Sequence, residues 1–273
     1  MPIIKSHLYR PPFFLKYHHF STIFPSLLRK VQGLKYKRER WETPDGDFID
    51  VDWSRRGEKK LLVALHGLEG SSDSTYIKGI IKIFNDYKWD GVAMNFRGCS
   101  GEPNRLQRGY HSGDTGDLDF VLSRIIEEHD YEEIVLVGFS LGGNVVLKYG
   151  GEKGNEIHPK IKKLIGVSVP IDLEGCSNEL TKWNNKIYLN RFLDSLKEKV
   201  KLKLHLFQNI DLKKVFSAKT FEEFDGGCTA PIFGFESARD YWEKSSSKAF
   251  LDKISIPALL ISARDDSFLS ESC

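Results

Sequence analysis

The sequence predicts an α/β fold with a mostly parallel central sheet covered by helices on both faces. Three observations predict it. Short, wholly apolar runs alternate with longer stretches whose apolar residues recur at helical spacing. Those runs lack polar alternation, as strands buried on both faces require. A Gly-x-Ser-x-Gly pentapeptide at 138–142 falls between one such strand and the helix behind it.

Asp45-Gly46 marks a hairpin turn, followed by a strand, Phe48 to Trp53, with Ile49, Val51 and Trp53 on one face and Asp50 and Asp52 on the other. Leu61 to Leu65 reads as a buried strand. Ser74 to Tyr87 carries Ile77, Ile80, Ile81 and Phe84 at helical spacing. Gly91 to Phe96 is another buried strand. Leu118, Val121, Leu122, Ile125 and Ile126 form one stripe of a helix opened by Asp117. Ile134 to Val137 is a third buried strand, with a helix from Leu141 to Tyr149 behind it. Leu164 to Val169 and Pro257 to Ser262 supply two more strands. Between Pro170 and Ile256 the alternation lapses. There Tyr188 to Val200 reads as a helix, and Phe221 to Phe235 as an irregular stretch rich in Gly and Phe. The reading is therefore an arm over residues 1–37 and a domain over 38–273, with a cap insertion at about 171–250.

The chain has 273 residues and a formal charge of +2, with 40% hydrophobic and 29% charged residues. That balance excludes intrinsic disorder. No apolar run is long enough to span a membrane. Cys99, Cys176, Cys228 and Cys273 lie far apart without a Cys-x-x-Cys pair, which excludes a disulfide framework or a zinc site and points to a reducing, cytoplasmic setting. No metal, cofactor or nucleic-acid partner is expected. No acidic residue precedes Glu39, whereas Lys5, Arg10, Lys16, Arg29, Lys30, Lys35, Lys37 and Arg38 all fall before it, among aromatic residues. This basic arm can make weak peripheral contact with anionic lipid. The plainer reading packs it on the domain.

The chemistry centres on Gly138-Phe139-Ser140-Leu141-Gly142. Glycines on either side of a sharp strand-to-helix turn remove colliding side chains, so Ser140 can project at the sheet's C-terminal edge as a nucleophile. After the Leu65 strand comes His66-Gly67-Leu68-Glu69-Gly70, placed to supply half of an oxyanion hole. The backbone N–H groups of Leu68 and Leu141 are the candidate donors, each worth ~3–4 kcal/mol of barrier. His66 reads as a loop brace and Glu69 as a loop-stabilising carboxylate. The acid is expected after the last strand, in Ala263-Arg264-Asp265-Asp266, where Asp266 is preferred and Asp265 is the alternative. No histidine follows it. Among the earlier ones, His129 reads as solvated, His205 as a surface or core residue, and His111 as a remote substitute base.

These motifs resemble the YheT-type α/β-hydrolases, serine esterases related to eukaryotic phospholipases and acylglycerol lipases. The resemblance runs from Pro11 to Cys273 and rests on several further segments. These include Asn95-Phe96-Arg97-Gly98-Cys99-Ser100-Gly101, Tyr110-His111-Ser112-Gly113, the continuation Gly142-Gly143-Asn144, Thr229-Ala230-Pro231 and Asp265-Asp266-Ser267-Phe268-Leu269. It implies an α/β-hydrolase fold and a carboxylesterase or lipase acting on small-molecule acyl esters, with Ser140 as nucleophile and Asp266 as acid. Ser267 stands where the family usually has proline. The resemblance also implies a catalytic histidine downstream, in a Gly-Gly-His segment that these residues lack. On that reading the frame is C-terminally truncated, the last helix and strand are missing, and activity is impaired. The alternative is a non-catalytic, ligand-binding pseudo-hydrolase.

Overall fold

The computed structural model describes residues 28–273 together with Pro12, Ser21, Ile23 and Phe24. Most of the basic arm at 1–37 therefore lies outside the described residues. Among those described, seven strands form one sheet in the order β1-β2-β4-β3-β5-β6-β7. They are β1 (Lys37–Glu42), β2 (Phe48–Ser54), β3 (Lys60–Leu65), β4 (Asp90–Met94), β5 (Glu133–Phe139), β6 (Ile161–Val167) and β7 (Ala258–Ile261). The β1–β2 and β2–β4 pairs are antiparallel and the others parallel. The predicted mostly parallel architecture is thus the one observed.

The apolar runs are explained by what covers each face. Leu61, Val63 and Leu65 of β3 point into one cluster with Leu118, Val121, Leu122 and Ile125 of α2 (Gly116–Glu128) and Val145 of α3 (Leu141–Lys153). The intervening Leu62 and Ala64 point the other way, onto Ile77 and Ile81 of α1 (Thr75–Asp86). With both faces covered, no position in β3 beyond Lys60 tolerates a polar residue. Each such Leu contributes about 1.5–3 kcal/mol by leaving water.

The order in which strands are added reverses at β3. The connection through α1 places β4 on one side of it, and the connection through α2 places β5 on the other. The C-terminal ends of β3 and β5 consequently border the crevice where open α/β sheets bind ligands.

Asp50 and Asp52, read as the polar face of β2, are buried. The β1–β2 register sets Arg40 opposite Asp50 and Arg38 opposite Asp52, and each guanidinium grips its carboxylate with two hydrogen bonds. Arg97 does the same deeper in the molecule, forking onto Asp117 at 2.8 and 2.7 Å and reaching Asp45 at 2.8 Å. Asp47 completes the knot by accepting from Asn104 and from the Arg105 N–H. The hairpin turn and the 97–108 loop are thereby one electrostatic unit.

After β6 the chain builds a separate helical cluster before returning to β7. It contains α4 (Leu173–Thr181), α5 (Lys186–Leu202), α6 (Leu212–Ser217), α7 (Phe221–Phe224), α8 (Ala230–Phe233) and α9 (Ala238–Ser245). Leu173, Leu189, Leu193, Phe207, Phe221 and Trp242 form its own apolar core. Among the described residues, strand β7 pairs only with β6, and Leu259 and Ile261 on it are exposed.

The cysteines are closer than their spacing suggested. All four are free, but the Sγ atoms of Cys176 and Cys273 lie 3.5 Å apart, because the turn after β7 docks on the start of α4. Ninety-seven residues of separation hid that contact from the sequence.

Candidate active site

Strand β5 ends and helix α3 begins at a single residue, Ser140, whose backbone sits at φ +50°, ψ −120°. A side chain at positive φ costs about 1–3 kcal/mol. The surroundings enforce it. Ser140 N–H donates to the Val167 carbonyl of β6 at 2.8 Å, and its own carbonyl accepts the first helical bond from Asn144 N–H. The two glycines are required by approach of backbone to backbone. A Cβ on Gly138 would lie 2.2 Å from the Gly142 carbonyl oxygen, and one on Gly142 would lie 2.5 Å from that of His66. Leu141 N–H stands ahead of the first intrahelical bond, at the end of the helix that favours negative charge.

The loop after β3 lies directly against this serine. A Cβ placed on Gly67 would be 3.1 Å from Ser140 Cβ. The loop is held by a Gly70-to-Gly67 turn, by Tyr76 Oη accepting from Gly67 N–H, and by Tyr110 Oη accepting from Glu69 N–H. Among the described residues, Leu68 N–H has no hydrogen-bond acceptor. His66 is fully buried, with Nδ1 2.7 Å from the Gly67 carbonyl and Nε2 accepting from Phe96 N–H at 3.1 Å. That arrangement assigns the proton to Nδ1. Burial pushes its pKa down to about 4, so His66 is a neutral brace with both nitrogens engaged.

Beyond β7, the Asp266 N–H closes a turn onto the Ala263 carbonyl and its Oδ1 accepts from Phe268 N–H at 3.1 Å. Asp266 is half-buried and Asp265 exposed. A family model described as the alpha/beta hydrolase fold matches residues 60–272. The chain belongs to the α/β-hydrolase family. Its relatives include YheT of Escherichia coli (strain K12), named as a candidate esterase, 37% identical over 92% of this chain and 75% of that protein. Phospholipase ABHD3 of Mus musculus is 28% identical over 91% of this chain, which spans 62% of that protein's length. Among solved structures, the α/β hydrolase GrgF of Penicillium sp. sh18 matches with a TM-score of 0.53 and 15% identity over 87% of each chain. At that identity the likeness shows the fold. The motifs pointed to the YheT-type branch of this family, and the relatives agree.

Among the described residues the structure brings Ser140 against Gly67 but does not join Ser140 to a histidine. Among the described residues Ser140 Oγ makes no side-chain hydrogen bond, and the Asp266 carboxylate accepts only from the main chain. His111, read as a remote substitute base, is caged by Phe233, Phe235 and Tyr241, and its Nδ1 accepts from Gly113 N–H. Burial, helped by Lys148 and Arg108, pushes its pKa down to about 3, which leaves it a poor base. His129 stacks edge-on against Trp53, and His158 Nδ1 accepts from Lys160 N–H. No group of His, Cys, Asp and Glu fit to hold a metal ion occurs among the described residues.

The supporting roles of three residues escaped the sequence reading. Asn144, fully buried, donates to the Ser112 and Ser245 carbonyls and accepts from Ser247 N–H, pinning the start of α3 to two loops. Ser195 and Lys199, one turn apart on α5, both reach the Glu69 carboxylate, Lys199 at 2.8 Å. Glu69 thus braces its loop and also ties that loop to the helical insert. Asn144 was visible as a polar residue in the most apolar stretch of a helix. For the α5 pair, only the i,i+4 spacing was available, and it names no partner.

Proposed function

We propose that this hydrolase cleaves small-molecule acyl esters through an acyl-enzyme on Ser140. The observation that carries the reading is the strained serine at a strand-to-helix turn, packed against a loop whose Leu68 N–H is unclaimed. Ser140 Oγ attacks the ester carbonyl, and the Leu68 and Leu141 N–H groups hold the oxyanion that develops. The alcohol leaves and water releases the acid. Asp266, with Asp265 as the alternative, is the carboxylate that steadies the imidazole taking the serine proton. The helical insert at 173–245 serves as the cap over this end of the sheet. The four free thiols fit a reducing, cytoplasmic setting. Among the described residues no helix is long and apolar enough to cross a membrane.

Among the described residues no imidazole bonds to Ser140, and a serine triad lacking its histidine turns over about 10⁶-fold more slowly, or ~8 kcal/mol of barrier. The test is hydrolysis of a p-nitrophenyl ester with increasing imidazole. A rate that rises with imidazole and vanishes in Ser140→Ala supports the reading. The same unsupported serine favours a second reading, a ligand-binding protein without catalysis. A rate indistinguishable from buffer plus imidazole alone selects it.

A further inference from the structure

Between the 97–110 loop and the insert lies a cavity of about 300 Å³. Its apolar wall is formed by Leu196, Val200, Phe207, Phe224, Ile232 and Phe233, and Ser140 does not line it. One end is polar, where Asn104, Gln107 and Lys203 meet. Lys203 directly follows α5 and is 7% exposed. Its Nζ donates to Asn104 Oδ1 at 2.7 Å and to the Leu106 carbonyl at 2.8 Å, while a third contact, to the Gln107 carbonyl, is long at 3.5 Å.

The other charged groups of the wall are matched. Arg97 pairs with Asp45, Asp47 and Asp117, Lys199 with Glu69, and Glu102 with Arg40. Among the described residues, no carboxylate stands within ion-pair distance of Lys203; Asp47, hydrogen-bonded to the other end of Asn104, attracts it only at longer range. A buried ammonium with only neutral acceptors is the costly arrangement that an anion relieves.

We propose that this cavity binds a medium-chain carboxylate, its chain along the Phe207, Phe224 and Ile232 wall and its headgroup on Lys203 Nζ in place of the Gln107 contact. One unmatched cation calls for a monoanion; a phosphate dianion would ask for two. A cavity of about 300 Å³ has room for a short apolar chain, and octanoate, one carboxylate on an unbranched chain, is the probe. The site is separate from ester cleavage at Ser140.

Burial pushes the Lys203 pKa down to about 8; Asp47 and Cys228 pull it up, and Lys199 and Arg97 push it down further. A carboxylate in contact raises it, so binding near pH 8 takes up protons.

The test is calorimetric titration of the full chain with sodium octanoate at pH 8, in two buffers of different ionisation enthalpy. The expected result is one saturable site with net proton uptake. Affinity falls at least tenfold for acetate, for Lys203→Met and for Ile232→Trp, and is unchanged in Ser140→Ala. Thermal melts confirm that each variant is folded, and if one fails to fold the other decides. Absence of saturable binding, binding without proton uptake, or full affinity in the folded Lys203 and Ile232 variants overturns the proposal. So does loss of binding in Ser140→Ala, which would place octanoate at the serine. None of these outcomes depends on whether the chain hydrolyses esters.

Discussion

At the serine turn, Gly138 and Gly142 let main chain lie on main chain, and the geometry is held by what the residues lack. At the insert, the long side chains of Glu69 and Lys199 span the gap, joined by the Ser195 hydroxyl, and the geometry is held by an ion pair and hydrogen bonds. The first kind of contact is short-range and intolerant of one added methyl. The second acts over more than a hundred residues of chain and is open to adjustment. A catalytic serine needs the former, whereas a surface that must fit different ligands can use the latter.

The comparison breaks most readily at the turn. Gly138→Ala puts a Cβ where the Gly142 oxygen stands, with no flexible side chain to yield. A loss of about 3 kcal/mol or more is expected in urea unfolding, and a loss under 1 kcal/mol would show that the turn can breathe. The equivalent cut at the insert is milder. Glu69→Gln removes the charge facing Lys199, which is itself partly exposed, and should cost about 2 kcal/mol. Its signature is faster proteolysis within 173–245 at unchanged sheet content by circular dichroism. Cleavage no faster than in the parent would mean that apolar packing alone docks the insert.

Acid sharpens the contrast further. Burial alone would raise the Asp45 pKa, but the Thr43 hydroxyl and the Arg97 guanidinium outweigh it and hold it at about 2. Asp47, Asp50 and Asp52 are likewise lowered, against burial, by their hydrogen bonds. Carboxylates with depressed folded pKa values contribute stability that is whole above the unfolded value near ~3.9 and lost as pH falls through the folded one. The hairpin and the 97–108 loop should therefore loosen between about pH 4 and pH 2. Hydrogen exchange across that range should show residues 43–50 opening before β3 and β5.

The smallest effect returns to the serine. Ser140→Gly suits φ +50° and should gain about 1 kcal/mol while abolishing imidazole-dependent turnover. A variant more stable than the parent would show that the turn stores strain at the serine, and one no more stable would show that it does not.

The same contrast explains how much the sequence revealed. Main-chain packing leaves a local trace, so the buried parallel strands, α3 and the Gly-x-Ser-x-Gly turn were legible from small and apolar residues alone, whereas the charged β1 was not. The burial of Asp50 and Asp52 was half legible, since Arg38 and Arg40 lie across the hairpin and only the register was needed to pair them. The Glu69–Lys199 tie and the Cys176–Cys273 approach depend on how distant segments fold back, and no spacing records that.

The central claim is that Ser140 Oγ is the nucleophile. The most direct measurement is mass spectrometry of the peptide containing Ser140 after brief exposure to p-nitrophenyl acetate in imidazole and acid quench. The account predicts an acetyl group on Ser140 that appears with the burst of p-nitrophenol and is absent in Ser140→Ala. Imidazole-driven turnover that leaves Ser140 unmodified, and proceeds equally in Ser140→Ala, would contradict it.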